Sequence, residues 1–383
     1  MTLPTNLLRP PLGAAEVFAL AFDRGPIALN PSRGDEPTGT VMRMGVDIAA
    51  VDPADQRSIE AYHAVAAAAR AADVPDFPPL ALREVIGSLR HPFSYKDSLH
   101  LLAQVDGRPA ATLDLGFPLK DNLHVGHVEI TVHPDLRRRG LGRRLYETAL
   151  EQARQRGRKV LMGNYPEALP EGGPERDPAF GAFARAMGAV PALPEVRRRL
   201  DLSTVDSAEW TPLLAEAQAK ASGYTLMSWT GETPEELVGE VARLEGRMNI
   251  DAPIGDLQLE QESYDAERMR DIERILKLRG WRQYQVGVRH DATGTLAAWT
   301  AISFVPDAAE HGWQGTTIVD PDHRGHRLGM LVKIENLRFT LSREPALRYV
   351  DTWNAAVNQH MIAINEALGF RAVDVWIGCQ ADI

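Results

Sequence analysis

The sequence predicts an α/β chain, of the α+β kind, in which one domain fold occurs twice. Three observations support this. The chain has 383 residues, more than one ordinary domain needs. Helix-like and strand-like segments follow one another in the same order in both halves. Two turn motifs, Asp106-Gly107 and Thr293-Gly294, join neighbouring strand-like segments. Such turns favour antiparallel pairing.

The first half becomes regular from Gly45, where a short strand to Val51 begins. Before it, Pro and Gly interrupt any periodicity over residues 1–43, which we interpret as an irregular arm. The helices expected after it cover residues 54–72, 80–89, 141–155 and 179–187, and the strands cover 100–105, 110–117, 124–132, 159–162 and 196–202.

The second half repeats this order after a linker over residues 203–222 that contains one helix. At its start, Thr233 is expected to cap a helix whose first residue is Pro234. The later helices are expected at 265–278, from about 328, and at 358–368, and the strands at 283–289, 296–305, up to 319, 348–352 and 371–379. The sequence thus predicts one domain over 44–202 and a second, acidic one over 223–383.

The strand endings show the duplication most directly. Val132-His133-Pro134 precedes Arg137 as Val319-Asp320-Pro321 precedes Arg324, so position 137 corresponds to position 324, an offset of 187 residues. An internal duplication explains this spacing better than chance does.

Composition excludes several classes of protein. With a single cysteine, Cys379, the chain forms no internal disulfide or thiolate metal site. No apolar run is long enough for a membrane helix, and we expect a cytoplasmic location. The net charge of −10 argues against nucleic acid as a partner. Residues 232–273 are the densest acidic stretch, which indicates either solvated helix faces or attraction of a cationic amine.

One loop between a strand and a helix carries the clearest chemical signal. It consists of Arg137, Arg138, Arg139, Gly140, Leu141 and Gly142, and Arg143 follows. Free N–H groups and the positive end of the helix dipole make such a helix start an anion site. The glycines admit phosphate oxygens close to the main chain, and the arginines suit a nucleotide with several phosphates. A Walker loop and the dinucleotide fingerprint are both absent.

These residues resemble the phosphate loop of the GNAT family of acetyltransferases, Arg/Gln-x-x-Gly-x-Gly/Ala, at Arg137, Gly140 and Gly142. The resemblance covers about residues 45–202 and, more weakly, 223–383. It is of the tandem type found in actinobacteria, and residues 128–134 are distantly similar to mycothiol synthase. It implies two tandem folds, each a central mixed, mainly antiparallel sheet flanked by helices. It also implies acetyl-CoA or another acyl-CoA as co-substrate, and no metal.

The resemblance also implies coenzyme contacts. Main-chain groups of Ile130 and Val132 are expected to bind the pantetheine arm, and residues 137–143 the pyrophosphate. In the second loop Arg327 replaces the first Gly of the pattern and either supplies a charged contact or blocks the groove. The weaker candidates there are Val319, Arg324, Gly325, Arg327, Gly329 and Asn358. Asn358 either contacts the coenzyme or caps the next helix.

Catalytic groups are less clearly marked. Glu129 is the candidate base, because it lies on the strand expected to face the coenzyme; otherwise it belongs to a structural hydrogen-bond network. Thr316 is its counterpart in the second half and cannot act as a base. The tyrosine that often serves as the acid in the family is replaced by Ala184 and Asn365.

We expect an N-acyltransferase that acts on a small amine, with two alternatives. One is an acyl-CoA-binding protein or scaffold with little turnover, and the other is acetylation of proteins or peptides. The halves divide the work in one of two ways. Either the first half binds coenzyme and catalyses, or it only binds coenzyme while the second half acetylates.

Overall fold

The computed structural model describes residues 45–383, so the arm expected over 1–43 lies outside the described residues. The elements of the first half are β1 (Val46–Ala50), α1 (Gln56–Asp73), α2 (Leu82–Arg90), β2 (Lys96–Val105), β3 (Arg108–Pro118), β4 (Val125–Val132), α3 (Leu141–Gln155), β5 (Val160–Ala168), α4 (Ala179–Ala186) and β6 (Val190–Asp201). After α5 (Trp210–Lys220) the second half comprises β7 (Tyr224–Thr230), α6 (Glu235–Asp251), α7 (Ala266–Leu278), β8 (Arg282–His290), β9 (Leu296–Phe304), β10 (His311–Val319), α8 (Leu328–Leu341), β11 (Tyr349–Ala355), α9 (Gln359–Ala367) and β12 (Arg371–Asp382).

The twelve strands of residues 45–383 form one continuous sheet. Their order is β1-β2-β3-β4-β5-β12-β6-β11-β10-β9-β8-β7. Neighbours are antiparallel except β4 with β5 and β10 with β11, which are parallel. The expected mainly antiparallel mixed sheet flanked by helices is therefore confirmed.

The two halves exchange their last strands. β12 of the second half lies between β5 and β6 of the first half. In turn, β6 pairs along its other edge with β11 of the second half. Because each terminal strand completes the sheet of the other half, neither half contains all of its own sheet.

Buried ion pairs hold this junction. Arg197 on β6 is fully buried and donates to Asp374 of β12 at 2.8 Å and to Asp351 of β11 at 2.9 Å. Asp76, between α1 and α2, accepts from Arg197 at 2.5 Å. Burial by itself raises the pKa of Asp351, but His311 and Arg197 outweigh that effect and hold the pKa well below its usual range. Charged side chains of four segments thus fix how the two halves meet.

In each half, the loop after the first helix packs against the other half. Phe77, after α1, packs on Trp313 of β10 with ring centres 5.5 Å apart. In the opposite direction, Leu259, after α6, packs with Val125 and Val160 of the first half. The helix-to-helix loops are therefore part of the interface between the halves.

Two details of the predicted elements were wrong. β5 and β6 extend to Ala168 and back to Val190, further than residues 159–162 and 196–202, because β12 pairs along both strands. The helix expected to start at Pro234 starts at Glu235, with Pro234 as its N-cap. Thr233 does not cap it. Its N–H donates to Glu273 of α7 at 2.8 Å, so a tertiary contact positions this helix start.

Candidate active site

The parallel strands β10 and β11 separate within the sheet. They pair only from His311 to Trp313, opposite Tyr349 to Asp351, although β10 continues to Val319. A bulge between Gln314 and Thr317 shifts the pairing of β10 with β9. A bulge bends its strand and re-aims its groups, and Gly315 and Thr316 in this bulge line the opening.

A cavity of about 760 Å³ fills this wedge. It is lined by residues 314–319 of β10, the loop before α8, the end of β11 and the start of α9. Leu193 and Glu195 of β6 also line it, so the strand exchange brings first-half side chains into the second-half cavity.

The loop before α8 has the same backbone shape as its counterpart in the first half. Gly325 and Arg327 are left-handed, with φ of 87° and 55°, and Arg327 is the N-cap of α8. In the first half the equivalent left-handed residues are Arg138 and Gly140, with φ of 66° and 82°. The glycine and the arginine have exchanged places, and the backbone path is kept although Arg in this region costs about 1 kcal/mol.

The first arginine of each loop forms the same ion pair. Arg137 donates to both carboxylate oxygens of Asp73, the last residue of α1, at 2.8 and 2.7 Å. Arg324 donates to Asp251, the last residue of α6, at 2.8 Å. Burial raises the pKa of Asp73 despite the opposing effect of Arg137. Each loop is thereby tied to the first helix of its half.

The remaining first-half candidates lie at the start of α3. Arg138, Arg139 and Arg143 are exposed, while Leu141 is buried in the core. Arg139 donates to the carbonyl of Asp135 at 3.2 Å.

Ile130 and Val132 are buried in the same core, on the part of β4 that no longer pairs with β5. A cavity of about 40 Å³ lies beside Ile130 there. Tyr146 and Phe183 also line it and meet edge to face.

All six second-half candidates line the large cavity: Val319, Arg324, Gly325, Arg327, Gly329 and Asn358. The guanidinium of Arg327 lies 2.6 Å from Glu216 of α5. The side chain of Asn358 caps α9 by accepting the N–H of Met361 at 3.2 Å.

Glu129 lies beside a polar cluster that the sequence analysis missed. Its partner across the strands is Asp114 of β3. Asp114 accepts from Tyr62 of α1 and lies 2.5 Å from His100 of β2. The available signal was a titratable residue between two leucines in each of two strands, His100 between Leu99 and Leu101 and Asp114 between Leu113 and Leu115.

In the second half, a buried carboxylate lies beside Thr316, the counterpart of Glu129. The hydroxyl of Thr316 lies 3.3 Å from Glu245 of α6, and both residues are buried. Thr316 is no base, but it lines the cavity and contacts a carboxylate. Sequence spacing could not reveal this, because Glu245 comes from a helix 71 residues away.

Lys333 of α8 also lines the cavity and is 0% exposed. Its Nζ has no hydrogen-bond partner among the described residues and lies 5.3 Å from the centre of the Phe370 ring. Burial lowers the pKa of Lys333 to about 7, because an apolar environment disfavours the ammonium form.

Comparisons with known proteins agree with this arrangement. The acetyltransferase (GNAT) family model matches residues 48–166. A tandem GNAT protein from the clavulanic acid biosynthesis pathway is 33% identical, with a TM-score of 0.76, over 88% of this chain and 98% of that one. The chain belongs to the GNAT family of acetyltransferases. As a GNAT protein of tandem type, it is an acyl-CoA-dependent N-acyltransferase.

More distant structures share the fold of this GNAT chain. A GCN5-related N-acetyltransferase from Sphaerobacter thermophilus is 17% identical, with a TM-score of 0.60 over 88% of this chain and 95% of that chain. The glucosamine N-acetyltransferase region of a fungal GH3 β-N-acetylglucosaminidase is 14% identical, with a TM-score of 0.62 over 88% of this chain and 38% of that one. No curated protein matches the chain.

Within residues 45–383, no helix has the length and apolar character needed to cross a membrane. Nor does that range hold a group of three or more His, Cys, Asp or Glu side chains placed to bind a metal ion.

Proposed function

We propose that this protein transfers an acyl group from acetyl-CoA, or another acyl-CoA, to a small cationic amine in the second-half cavity. The observation that carries the proposal is the wedge between β10 and β11, which opens beside a bulged strand and a helix N-terminus. Its volume of about 760 Å³ is within the usual size of cofactor sites.

In this proposal the coenzyme pyrophosphate lies at the N-terminus of α8. There Gly325 and Gly329 give main-chain access, and Arg324 and Arg327 supply positive charge. The pantetheine arm follows β10 from Val319 towards the bulge. N–H groups re-aimed by the bulge are suited to hold the carbonyl oxygen as negative charge develops on it.

The acceptor amine must lose a proton before it attacks. For an ordinary alkyl amine near neutral pH this costs about 4 kcal/mol. Glu245 is proposed as the base, with the hydroxyl of Thr316 passing the proton to it. Glu195 lines the cavity and favours a cationic acceptor there. These two carboxylates support the choice of a cationic amine.

The first half is proposed as a second coenzyme site. Ile130 and Val132 would contact the pantetheine arm, and the loop over residues 137–143 the pyrophosphate. The exposed Arg138, Arg139 and Arg143 at the start of α3 support anion binding. Glu129 would be the base of this half if it turns over.

A matched pair of variants tests which half does the chemistry. Gly142→Glu and Gly329→Glu place a carboxylate at equivalent positions in the first turn of α3 and α8. A carboxylate there favours the helix but repels phosphate. We expect Gly329→Glu to abolish thiol release from acetyl-CoA with a panel of cationic and neutral amines. Gly142→Glu should remove only one binding event in calorimetric titration.

Conservative carboxylate variants provide the second readout. Glu245→Gln should lower kcat about 10²-fold to 10⁴-fold, as expected for loss of a general base, whereas Glu129→Gln should leave it close to that of the unmodified protein. If Gly142→Glu and Glu129→Gln abolished turnover while Gly329→Glu and Glu245→Gln did not, the chemistry would be assigned to the first half. If the unmodified protein neither binds acetyl-CoA nor releases thiol, the proposed function is wrong.

A further inference from the structure

Lys333 is an unusual residue for a protein core. Its side chain is fully buried, its Nζ has no hydrogen-bond partner among the side chains and main-chain groups that the structure describes, and it lines the cavity between β10 and β11. Burying an ammonium without a partner is costly, and an apolar side chain of the same length would pack there at lower cost. Stability does not explain this lysine.

Lys333 lies on α8, which packs on β8, β9 and β10 of the sheet. It comes five residues after Leu328, which is about 7.5 Å along the helix axis. Lys333 lines the cavity together with residues of the bulge and of the loop, and its Nζ lies 5.3 Å from the centre of the Phe370 ring. The side chain thus lies where the cavity wall meets the core cluster that contains Phe370.

Few other groups around this cavity could deliver a proton near neutral pH. The charged or titratable side chains that line it or lie near it or α8 include Glu195, Glu245, Asp251, Arg324, Arg327 and His360, with Glu216 on α5, Tyr224 on β7 and Tyr284 on β8. His360 is the one histidine among the lining residues, and it is exposed, whereas Lys333 is buried. The shift in the pKa of Lys333 to about 7 comes from burial alone.

We propose that Lys333 is the acid that protonates the coenzyme sulfur as the thioester breaks. This inference rests on the proposed function and on coenzyme in the second-half cavity. The acceptor nitrogen bonds to the thioester carbon, and the C–S bond breaks with its electron pair on sulfur. The sulfur takes a proton from the Lys333 ammonium, which gives free CoA and a neutral amine.

An ammonium acceptor gives up two protons in all. The first passes through Thr316 to Glu245 before the attack, and Glu245 releases it to water; the second leaves the acceptor nitrogen as the amide forms and follows the same path. Once CoA leaves, Glu245 releases that proton as well and Lys333 takes one up. The net reaction is therefore a protonated amine and an acyl-CoA giving an amide, CoA and one proton. The developing thiolate offers the buried ammonium the counter-charge that the described residues do not provide.

The test compares Lys333→Met with Asn336→Leu. Asn336 lies one helical turn further along α8, is also fully buried and has an unpartnered Nδ2, but it does not line the cavity. The probe is acetyl-CoA with hydroxylamine, an amine that is already neutral near pH 7. Free thiol is measured after subtraction of the enzyme-free rate, and the Kd of acetyl-CoA is measured separately.

We expect Lys333→Met to lower kcat about 10²-fold to 10⁴-fold with the Kd unchanged, and Asn336→Leu to leave both unchanged. In the unmodified protein kcat should fall as pH rises through about 7, because the acid form is lost. This decline should be absent in Lys333→Met and present in His360→Gln, which removes the one histidine among the lining residues.

Three results would overturn the proposal. They are an unchanged kcat and pH profile in Lys333→Met, a weaker Kd with unchanged kcat, and an acetyl group found on Lys333 by peptide mapping. The second would make Lys333 a coenzyme ligand, and the third an acyl acceptor. An unmodified protein that neither binds acetyl-CoA nor releases thiol would overturn the proposed function as well, so the two failures are distinguishable.

Discussion

Arg137 and Arg324 hold equivalent positions but differ in how far water reaches them. The side chains of the Arg137–Asp73 pair are 20% and 3% exposed, and those of Arg324–Asp251 are 55% and 20% exposed. An ion pair shielded from water is expensive to break, because the remaining charge stays buried. An exposed pair is worth little. The equivalent ion pair therefore contributes differently to stability in the two halves.

We expect Arg137→Gln to lower the free energy of unfolding by about 3 kcal/mol, and Arg324→Gln by at most about 1 kcal/mol. Chemical denaturation measures both. Adding Asp73→Asn to Arg137→Gln should recover most of the loss, because no charge is then left unpaired. Equal losses in the two single variants would show that burial does not govern the pair.

The sequence indicated the loops of the candidate site but not the buried groups beside them. A loop signal is local: a strand ending in Val-x-Pro, then glycines and arginines, then a helix. Lys333 gave no such signal, because a lysine within a helix usually lies at the surface. The helix α8 is buried on nearly all sides, since α5 covers the face opposite the sheet. Only the three-dimensional packing shows that Lys333 lies inside.

At the scale of elements, the loop after α6 depends on one glycine. Gly255 is left-handed, with φ of 61°, and a Cβ there would lie 2.1 Å from the carbonyl oxygen of Ala192 on β6. Asp256 donates its N–H to the same oxygen at 2.9 Å. This contact fixes the second-half loop against the strand that both halves share.

Gly255→Ala should therefore destabilise the protein by about 1–3 kcal/mol, which is the usual range for local backbone strain. Gly294→Ala is the matched control. It has φ of 74° but open space around a new Cβ, so only the left-handed strain of about 1 kcal/mol applies. Thermal unfolding compares the two, and amide exchange should show faster opening over residues 252–265 in Gly255→Ala alone. A larger effect in Gly294→Ala would contradict this account.

The order of elements was readable from the sequence, but the exchange of strands was not. Hairpin turns and helical periodicity depend on residues that are neighbours in the sequence. Asp106 and Gly107, for example, form the expected turn with φ of 49° and 78°. β6 and β12 follow the same helices in the chain whether or not they are exchanged. Pro191 and Pro194 also disfavour a central strand over these residues. They nevertheless lie opposite Cys379 and Ile377 in the centre of the sheet.

At the scale of the whole molecule, ion pairs account for much of the acidic stretch over residues 232–273. Pairs with Arg or Lys side chains include those of Glu232, Glu235, Glu240, Asp251, Glu262, Asp271 and Glu273. The overall negative charge therefore says little about the acceptor. In the proposed function, the carboxylates that bear on the acceptor are Glu195 and Glu245, near the cavity.

The exchange of strands makes each half depend on the other for folding. Without the second half, β5 and β6 would lose β12, which lies between them, and would expose unpaired strand edges. Arg197 would keep Asp76 but lose Asp351 and Asp374. Breaking such a buried network costs about 3–5 kcal/mol, which is a large part of the stability of a domain.

We therefore expect fragments 45–222 and 223–383 to be unfolded or insoluble when each is produced alone, and to form one folded complex when produced together. Circular dichroism, size-exclusion chromatography and co-purification measure this. As a control, the same chain cut at a protease site within residues 203–222 after folding should stay associated and keep its cooperative melting. A first fragment that folds alone with a cooperative transition would mean that β12 is dispensable, because β5 and β6 would then have closed on each other without it.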